Sequence, residues 1–245
     1  MCTVTVVPQA QGARLLCNRD ERRSRPAALP PQIHDLRGRL AAFPVDPEGG
    51  GTWIGVNDAG LIVTLLNAQR TSDGRRDDAS RKRRSRGLVV RELLRWTSLP
   101  HATAAVESLE PCAFEPFQVV IVYEGRVAVA TSDAAGPIRC TQQTLDEPVL
   151  FTSSSLGDAL VGLPRRRLFE RMVVRSRTGW LDGQARFHDH QWSQRPEISI
   201  RMERRDALTV SRTSVDVRTD RRQLLYEAPL EAATPDRVRK WCSLH

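Results

Sequence analysis

Aliphatic and β-branched residues fall into short runs between turn-forming residues over most of this sequence, a pattern of strands and hairpins rather than of long helices. Thr3 to Val7 and Arg14 to Cys17 flank a Gln-Gly turn and predict a hairpin that begins at the chain start. Thr52 to Asn57 and Leu61 to Asn67 flank Asp58-Ala59-Gly60, where Gly60 supplies the positive φ of a tight turn. Phe117 to Tyr123 and Arg126 to Thr131, joined by Glu124-Gly125, predict a third hairpin, and Val149 to Ser153 a further strand. Helical spacing appears at Leu88, Val89, Leu93, Leu94 and Trp96, and again at Ala104, Ala105, Val106 and Leu109. A third amphipathic helix is expected between Gly162 and Arg175, with Pro164 in its first turn. Strands return at Ile198 to Met202, Leu208 to Val217 and Leu224 to Glu227. Arg22 to Pro31 reads as a Pro- and Arg-rich loop, and Arg70 to Arg86, polar and without apolar periodicity, as a mobile exposed one. This order of elements is that of an α+β protein whose helices cover stacked antiparallel sheets.

With 245 residues, 40% of them hydrophobic, the chain has enough apolar area for a proper core, and a single domain spanning 1–245 is expected, with the basic loop at about 70–86. A net charge of +8 suggests a polyanionic partner, but Lys82 and Lys240 are its only lysines. The arginines are spread along the whole chain with acidic residues between most of them, so no nucleic-acid partner is expected. Cys2, Cys17, Cys112, Cys140 and Cys242 are odd in number and widely spaced, which encodes neither a disulfide framework nor a zinc knuckle. No apolar stretch approaches the ~18 residues that span a bilayer, and the chain start lacks signal-peptide features. A cytoplasmic location without a membrane span is the expectation; oligomeric state is open.

The chemistry concentrates near the start. Cys2 follows the initiator Met, and a side chain this small is compatible with removal of that Met. The freed α-amine, with a pKa near 7.7–8.0, accepts the proton of a thiol whose own pKa is near 8.5. Nucleophile and base then share one residue. The bland reading is a small apolar residue packed at a strand start. Asn18-Arg19-Asp20-Glu21 lies just past the second strand, so the hairpin returns these groups to the level of residue 2. A carboxylate orients an ammonium and a guanidinium lowers a thiol pKa; the same four residues also make an ordinary polar turn. In Gly55 to Gly60, a backbone N–H or the Asn57 amide is a candidate oxyanion donor, and the segment is equally a good β-turn.

Together these segments resemble the NRDE family, also called the Transport and Golgi organisation protein 2 family. Met1-Cys2-Thr3 opens the chain, Asn18 to Glu21 carries the motif that names the family, and Gly50-Gly51-Thr52-Trp53-Ile54-Gly55-Val56-Asn57 matches its G-G-T-W-x-G-x-N segment. The resemblance covers the first 70 residues well and the remainder in rhythm only. It implies a four-layer αββα sandwich of the N-terminal nucleophile hydrolase type, similar to the cysteine branch of penicillin V acylase and bile salt hydrolase. On that analogy Cys2 is the nucleophile, Arg19 and Asp20 position thiol and amine, and Asn57 belongs to the oxyanion hole, with Asn18, Trp53 and Ser153 on the substrate side. Where the hydrolases carry an Asn in a T-N or S-N pattern, this chain has Thr152-Ser153, whose hydroxyl donates one hydrogen bond. The implied activity is hydrolysis of a linear amide such as an N-acyl compound, with no cofactor. The alternative is non-catalytic binding and trafficking of haem, lipid or acyl-CoA.

Three further clusters carry metal-ligating or basic side chains. His188 and His190 form an H-x-H pair, a spacing that ligates metal on a strand or pairs within a polar loop; no metal is expected. Arg81-Lys82-Arg83-Arg84-Ser85-Arg86 grips phosphates, CoA or nucleic acid, or is a solvated run balanced by Asp77 and Asp78. Arg165-Arg166-Arg167 at a helix start binds an anion or forms helix-surface charges.

Overall fold

The computed structural model describes residues 2–68, 83–229 and 238–244. The architecture is α+β, as expected, and consists of two compact units, each with one antiparallel sheet and its own helices.

The first unit is Met1–Pro26 with Leu145–Ser243. Its strands are β1 (Cys2–Gln9) and β2 (Gly12–Arg22), then β10 (Val149–Thr152), β11 (Ala207–Arg218), β12 (Arg221–Ala228) and β13 (Val238–Leu244). They are ordered β10-β1-β2-β11-β12-β13, so the predicted N-terminal hairpin lies inside the sheet with β10 on one side and β11 on the other. Two helices, α3 (Leu163–Phe169) and α4 (Trp180–Asp189), cover one sheet face. Val7, Leu168, Phe169, Val173, Phe187 and Ile200 form the apolar cluster there. The third expected helix is present but broken: α3 lies between π-helical turns at Asp158–Gly162 and Glu170–Val174, with Pro164 in its first turn.

The second unit is Ala27–Thr144 with Leu244–His245. Here β3 (Leu29–Asp35), β4 (Leu40–Val45), β5 (Ile54–Asn57), β6 (Ile62–Asn67), β7 (Phe117–Tyr123), β8 (Arg126–Ser132) and β9 (Arg139–Thr144) pair in sequence order. The α1 (Gly87–Leu93) and α2 (Leu99–Glu107) helices pack through Val89, Val90, Leu93, Leu94, Ala102 and Val106 onto alternate strand residues such as Val63, Val119, Ile121 and Ala128. That alternation is the period-2 signal of the sequence. Gly60 has φ +88, as its turn requires.

Three expectations need correction. Ile198 to Met202 is not a strand, although it alternates as one. The carbonyls of Ile198 and Ser199 accept from Arg165, and that of Ile200 accepts from Asn18, so buried side chains take the acceptors a neighbouring strand would have used. The segment Trp180 to Asp189 is a helix the apolar pattern missed, because its buried face holds Gly183, Gln184 and His188 beside Phe187. Finally, the end of the basic run is docked rather than mobile. Arg83 pairs with Glu115 at 2.6 Å, Arg84 lies over the Phe114 ring, and Arg86 donates to Pro116 O. Most of the predicted loop at 70–86, with Asp77 and Asp78, lies outside the described residues.

Candidate functional site

In the first unit Cys2 pairs directly with Arg19 across β1 and β2, and Val4 with Cys17. Side chains alternate along a strand, so Cys2, Cys17 and Arg19 share one sheet face. All three are buried, Cys2 being 5% exposed. The Cys2 thiol is held below its usual pKa, chiefly by a hydrogen bond from Cys17; burial opposes this, and the charge of the chain-start ammonium and, more weakly, that of Arg19 assist it. On the other flank, the Cys2 backbone N donates to Ser153 Oγ at 3.2 Å, and Ser153 N donates to Cys2 O at 3.0 Å. The nitrogen that becomes an α-amine once Met1 is removed therefore faces the Ser153 hydroxyl.

The opposite sheet face carries a buried polar layer. Its centre is Arg165 of α3, which is fully buried. It donates to Ile198 O (3.0 Å), Ser199 O (2.6 Å), Thr3 Oγ1 (2.8 Å) and Thr152 Oγ1 (3.0 Å), and lies 4.0 Å from the Asp20 carboxylate. Asp20 also accepts from Thr209 Oγ1 at 2.6 Å. Burial raises the Asp20 pKa, and the Arg165 charge limits the rise. The pleat thus separates the two neighbours of the N-R-D-E segment: Arg19 stands beside Cys2, whereas Asp20 belongs to the Arg165 layer. From there the Asp20 charge still bears on the thiol, in the raising direction. Glu21, on the Arg19 side, lies 3.5 Å from Arg19 and 3.6 Å from Arg25.

Asn18 is spent on the fold. Its Nδ2 donates to His188 O (2.8 Å) and Ile200 O (3.1 Å), and its Oδ1 faces His188 Nδ1 at 3.0 Å. A carboxamide oxygen only accepts, so the proton sits on Nδ1 and Nε2 accepts the Thr5 hydroxyl at 2.7 Å. Thr5 Oγ1 in turn accepts from Gln184. His188 is therefore a neutral strut on α4 with both nitrogens engaged, rather than half of an H-x-H metal pair on a strand. Burial first, then the charges of Arg212, Arg14 and Arg165, hold its pKa well below 6.5. The sign follows: an unfolded histidine takes up a proton below pH 6.5 while the folded ring does not. This contribution to stability is complete above pH 6.5 and is lost as pH falls below it, with a slope approaching about 1.4 kcal/mol per pH unit. Denaturation measured across this range, with the His188 ring followed by NMR, checks the prediction; a ring titrating near 6.5 overturns it.

In the second unit, the segment Gly50 to Asn57 clasps α1. A Cβ on Gly51 would lie 2.4 Å from Gly87 C, and Thr52 N donates to Gly87 O. Trp53 is buried, and its carbonyl accepts from Leu65 N and from Thr64 Oγ1. Asn57 Nδ2 donates to Leu94 O (2.9 Å) and Trp96 O (2.7 Å), and Oδ1 accepts from Leu61 N. Both amide hydrogens are thereby committed to holding the end of α1. Asn57→Ala strands two buried carbonyls and one N–H, and is expected to cost about 3 kcal/mol in urea denaturation; a loss below about 1 kcal/mol would show that these bonds are not made in solution.

Sequence reasoning missed Gln184 and the hydrogen bond of Cys17 to Cys2, and Arg165 is neither an anion ligand at a helix start nor a helix-surface charge but the buried centre of a polar layer. For Cys17 the signal was present: its position two residues before Arg19 puts it on the Cys2 face of a hairpin. Gln184 carried none, and nothing local distinguishes Arg165 from the exposed Arg166 and Arg167 beside it. Among the described residues no group of three or more His, Cys, Asp or Glu side chains is arranged to hold a metal ion. No described helix is long and apolar enough to cross a membrane.

The fold is that of the N-terminal nucleophile hydrolase-like acylases. A penicillin V acylase from Agrobacterium tumefaciens superimposes with a TM-score of 0.53 at 12% identity, covering 97% of this chain and 84% of that one. An N-acylethanolamine-hydrolyzing acid amidase ortholog from Caenorhabditis elegans gives 0.56 at 12% identity, covering 87% and 92%. The C2A mutant of a conjugated bile acid hydrolase from Clostridium perfringens gives 0.53 at 10% identity, covering 100% and 97%. The sequence itself belongs to the Transport and Golgi organisation 2 family, whose profile matches residues 1–160. No curated protein sequence matches the chain significantly.

Proposed function

We propose that the protein is a cysteine amidohydrolase that cleaves a linear N-acyl amide after removal of Met1. The observation that carries this reading is the surroundings of Cys2, a buried thiol with a lowered pKa whose neighbouring nitrogen faces a hydroxyl. The acylase and amidase names of the structural neighbours support it. In the first step the Cys2 α-amine accepts the thiol proton and the sulfur attacks the amide carbonyl carbon, giving a tetrahedral oxyanion. Collapse breaks the C–N bond, the ammonium returns its proton to the departing amine, and an acyl thioester remains. Water, deprotonated by the same amine, then hydrolyses the thioester. Ser153 accepts a hydrogen bond from the amine and keeps its lone pair directed at the thiol. Arg19 and Cys17 favour the thiolate. With Asn57 occupied by Leu94 O and Trp96 O, the oxyanion is assigned to backbone N–H groups.

Intact mass and a panel of N-acyl amino acids and N-acylethanolamines test the proposal. Loss of Met1 together with amine release from at least one panel member is expected. Retention of Met1 leaves no free amine at Cys2 and defeats the mechanism. A carrier of haem or lipid would bind its ligand and release no amine.

The role of Cys17 has its own readout. Cys17→Ala removes the hydrogen bond that is the largest cause of the lowered Cys2 pKa. The pH midpoint for alkylation at Cys2, followed by peptide mass spectrometry, is expected to move upward. An unchanged midpoint would refute thiol-to-thiolate donation.

A further inference from the structure

A groove of about 960 Å³ runs along α3, the π-helical turn after it and the start of the segment that leads to α4. Its walls carry Arg166, Arg167, Arg171, Arg175, Arg177 and Arg186. Glu170 is the one carboxylate among the described lining residues, and it pairs with Arg175 at 2.8 Å. The chain as a whole has 37 basic and 29 acidic residues, close to parity, so six guanidiniums against one carboxylate is a local concentration that average composition does not produce.

This arrangement is unfavourable by itself. Arg166, Arg167, Arg171 and Arg175 follow one another along one helical run, and like charges that close repel. The turn at Glu170–Val174 is π-helical, closed by Arg175 N donating to Glu170 O at 2.9 Å. Such turns are rare interruptions of helices and concentrate at functional sites. Arg186 reaches in from α4 and donates to the Thr178 hydroxyl at 2.6 Å, which holds its guanidinium over the groove. Planar guanidinium forks lining one groove match the oxygens of phosphate groups, and more than one phosphate is needed to engage them all.

We infer that this groove is a binding site for a compound carrying two or more phosphate groups, separate from the Cys2 site. The phosphates belong either to a soluble molecule or to a phosphorylated lipid headgroup. Inorganic tripolyphosphate, titrated calorimetrically into the full chain, is expected to bind saturably at one equivalent and to raise the melting temperature. Sulfate at matched ionic strength is expected to do neither. Arg167→Ser/Arg171→Ser/Arg177→Ser is expected to weaken binding at least tenfold while leaving hydrolysis at Cys2 unchanged. Arg177→Glu, outside the helices, is a second variant should the triple one fail to fold. Tripolyphosphate heats that do not saturate, or affinities equal in wild type and both variants, overturn the proposal. In a second arm, vesicles containing a bisphosphorylated inositol lipid are sedimented with the protein. Sedimentation displaced by tripolyphosphate assigns the phosphates to a headgroup; its absence, with tripolyphosphate binding retained, assigns them to a soluble ligand.

Discussion

Replacing Cys2 by alanine is expected to abolish amide hydrolysis, with a rate loss of roughly 10⁴-fold or more, while the protein stays folded. The two halves of that expectation rest on different observations. The chemical half follows from the sulfur being the group that attacks the amide in the proposed mechanism: without it no thioester forms for water to hydrolyse. The structural half follows from position. Cys2 begins β1 and its backbone is held by the β2 pairing and by Ser153, none of which needs the side chain. Removing one sulfur from a 5% exposed site costs about 1 kcal/mol of burial. The comparison therefore reads kcat against melting temperature. Amine release at the wild-type rate by Cys2→Ala would remove the nucleophile from the proposal whatever the fold resembles. Cys2→Ser sharpens it: a hydroxyl is far harder to deprotonate than a thiol, so a small residual rate is expected there.

The largest loss of stability is expected at Arg165. Arg165→Met takes one partner from a fully buried charge pair and leaves the Asp20 carboxylate, which also accepts from Thr209, without that guanidinium. It also strands the carbonyls of Ile198 and Ser199. Breaking a buried pair in this way costs about 3–5 kcal/mol. Arg165→Lys is no remedy, because an ammonium on a flexible stem does not reproduce a fork that reaches two carbonyls and two threonine hydroxyls at once. Adding Asp20→Asn to Arg165→Met is expected to recover part of the loss, since the uncompensated charge disappears. Denaturant midpoints for the two single variants and the double variant measure this coupling. Strict additivity would mean that Asp20 and Arg165 do not interact.

How much of this was legible beforehand depends on the range of the interaction. The three hairpins and the two helices of the second unit follow from local spacing, because turn residues and the apolar period act within a few residues. Four strands escaped notice, β3, β4, β9 and β13, and three of them, β3, β9 and β13, are sheet edges. In β3, Pro30 and Pro31 read as a loop, and a proline is tolerated where the edge leaves N–H groups unpaired. In β9, Arg139 to Thr144 is mostly polar because most of its side chains are exposed.

The Cys2–Arg19 pairing was likewise present in the hairpin, yet the pleat that sends Asp20 to the other face was overlooked. The Gly50 to Asn57 segment misled for a different reason. Its residue types suit an oxyanion site and a helix clasp equally well, and the choice rests on whether Leu94 and Trp96 come within reach of Asn57.

From the linear order of residues alone came the strand-rich α+β class, the candidate nucleophile Cys2 and the family to which the chain belongs. Only folding brought Arg165, Gln184 and His188 onto the back of β1 and β2, against partners 145 to 183 positions away in the chain. A polar side chain can be buried there because its partners are supplied by distant segments. No local period or composition records which distant carbonyl will satisfy which donor, so that information exists only in three dimensions.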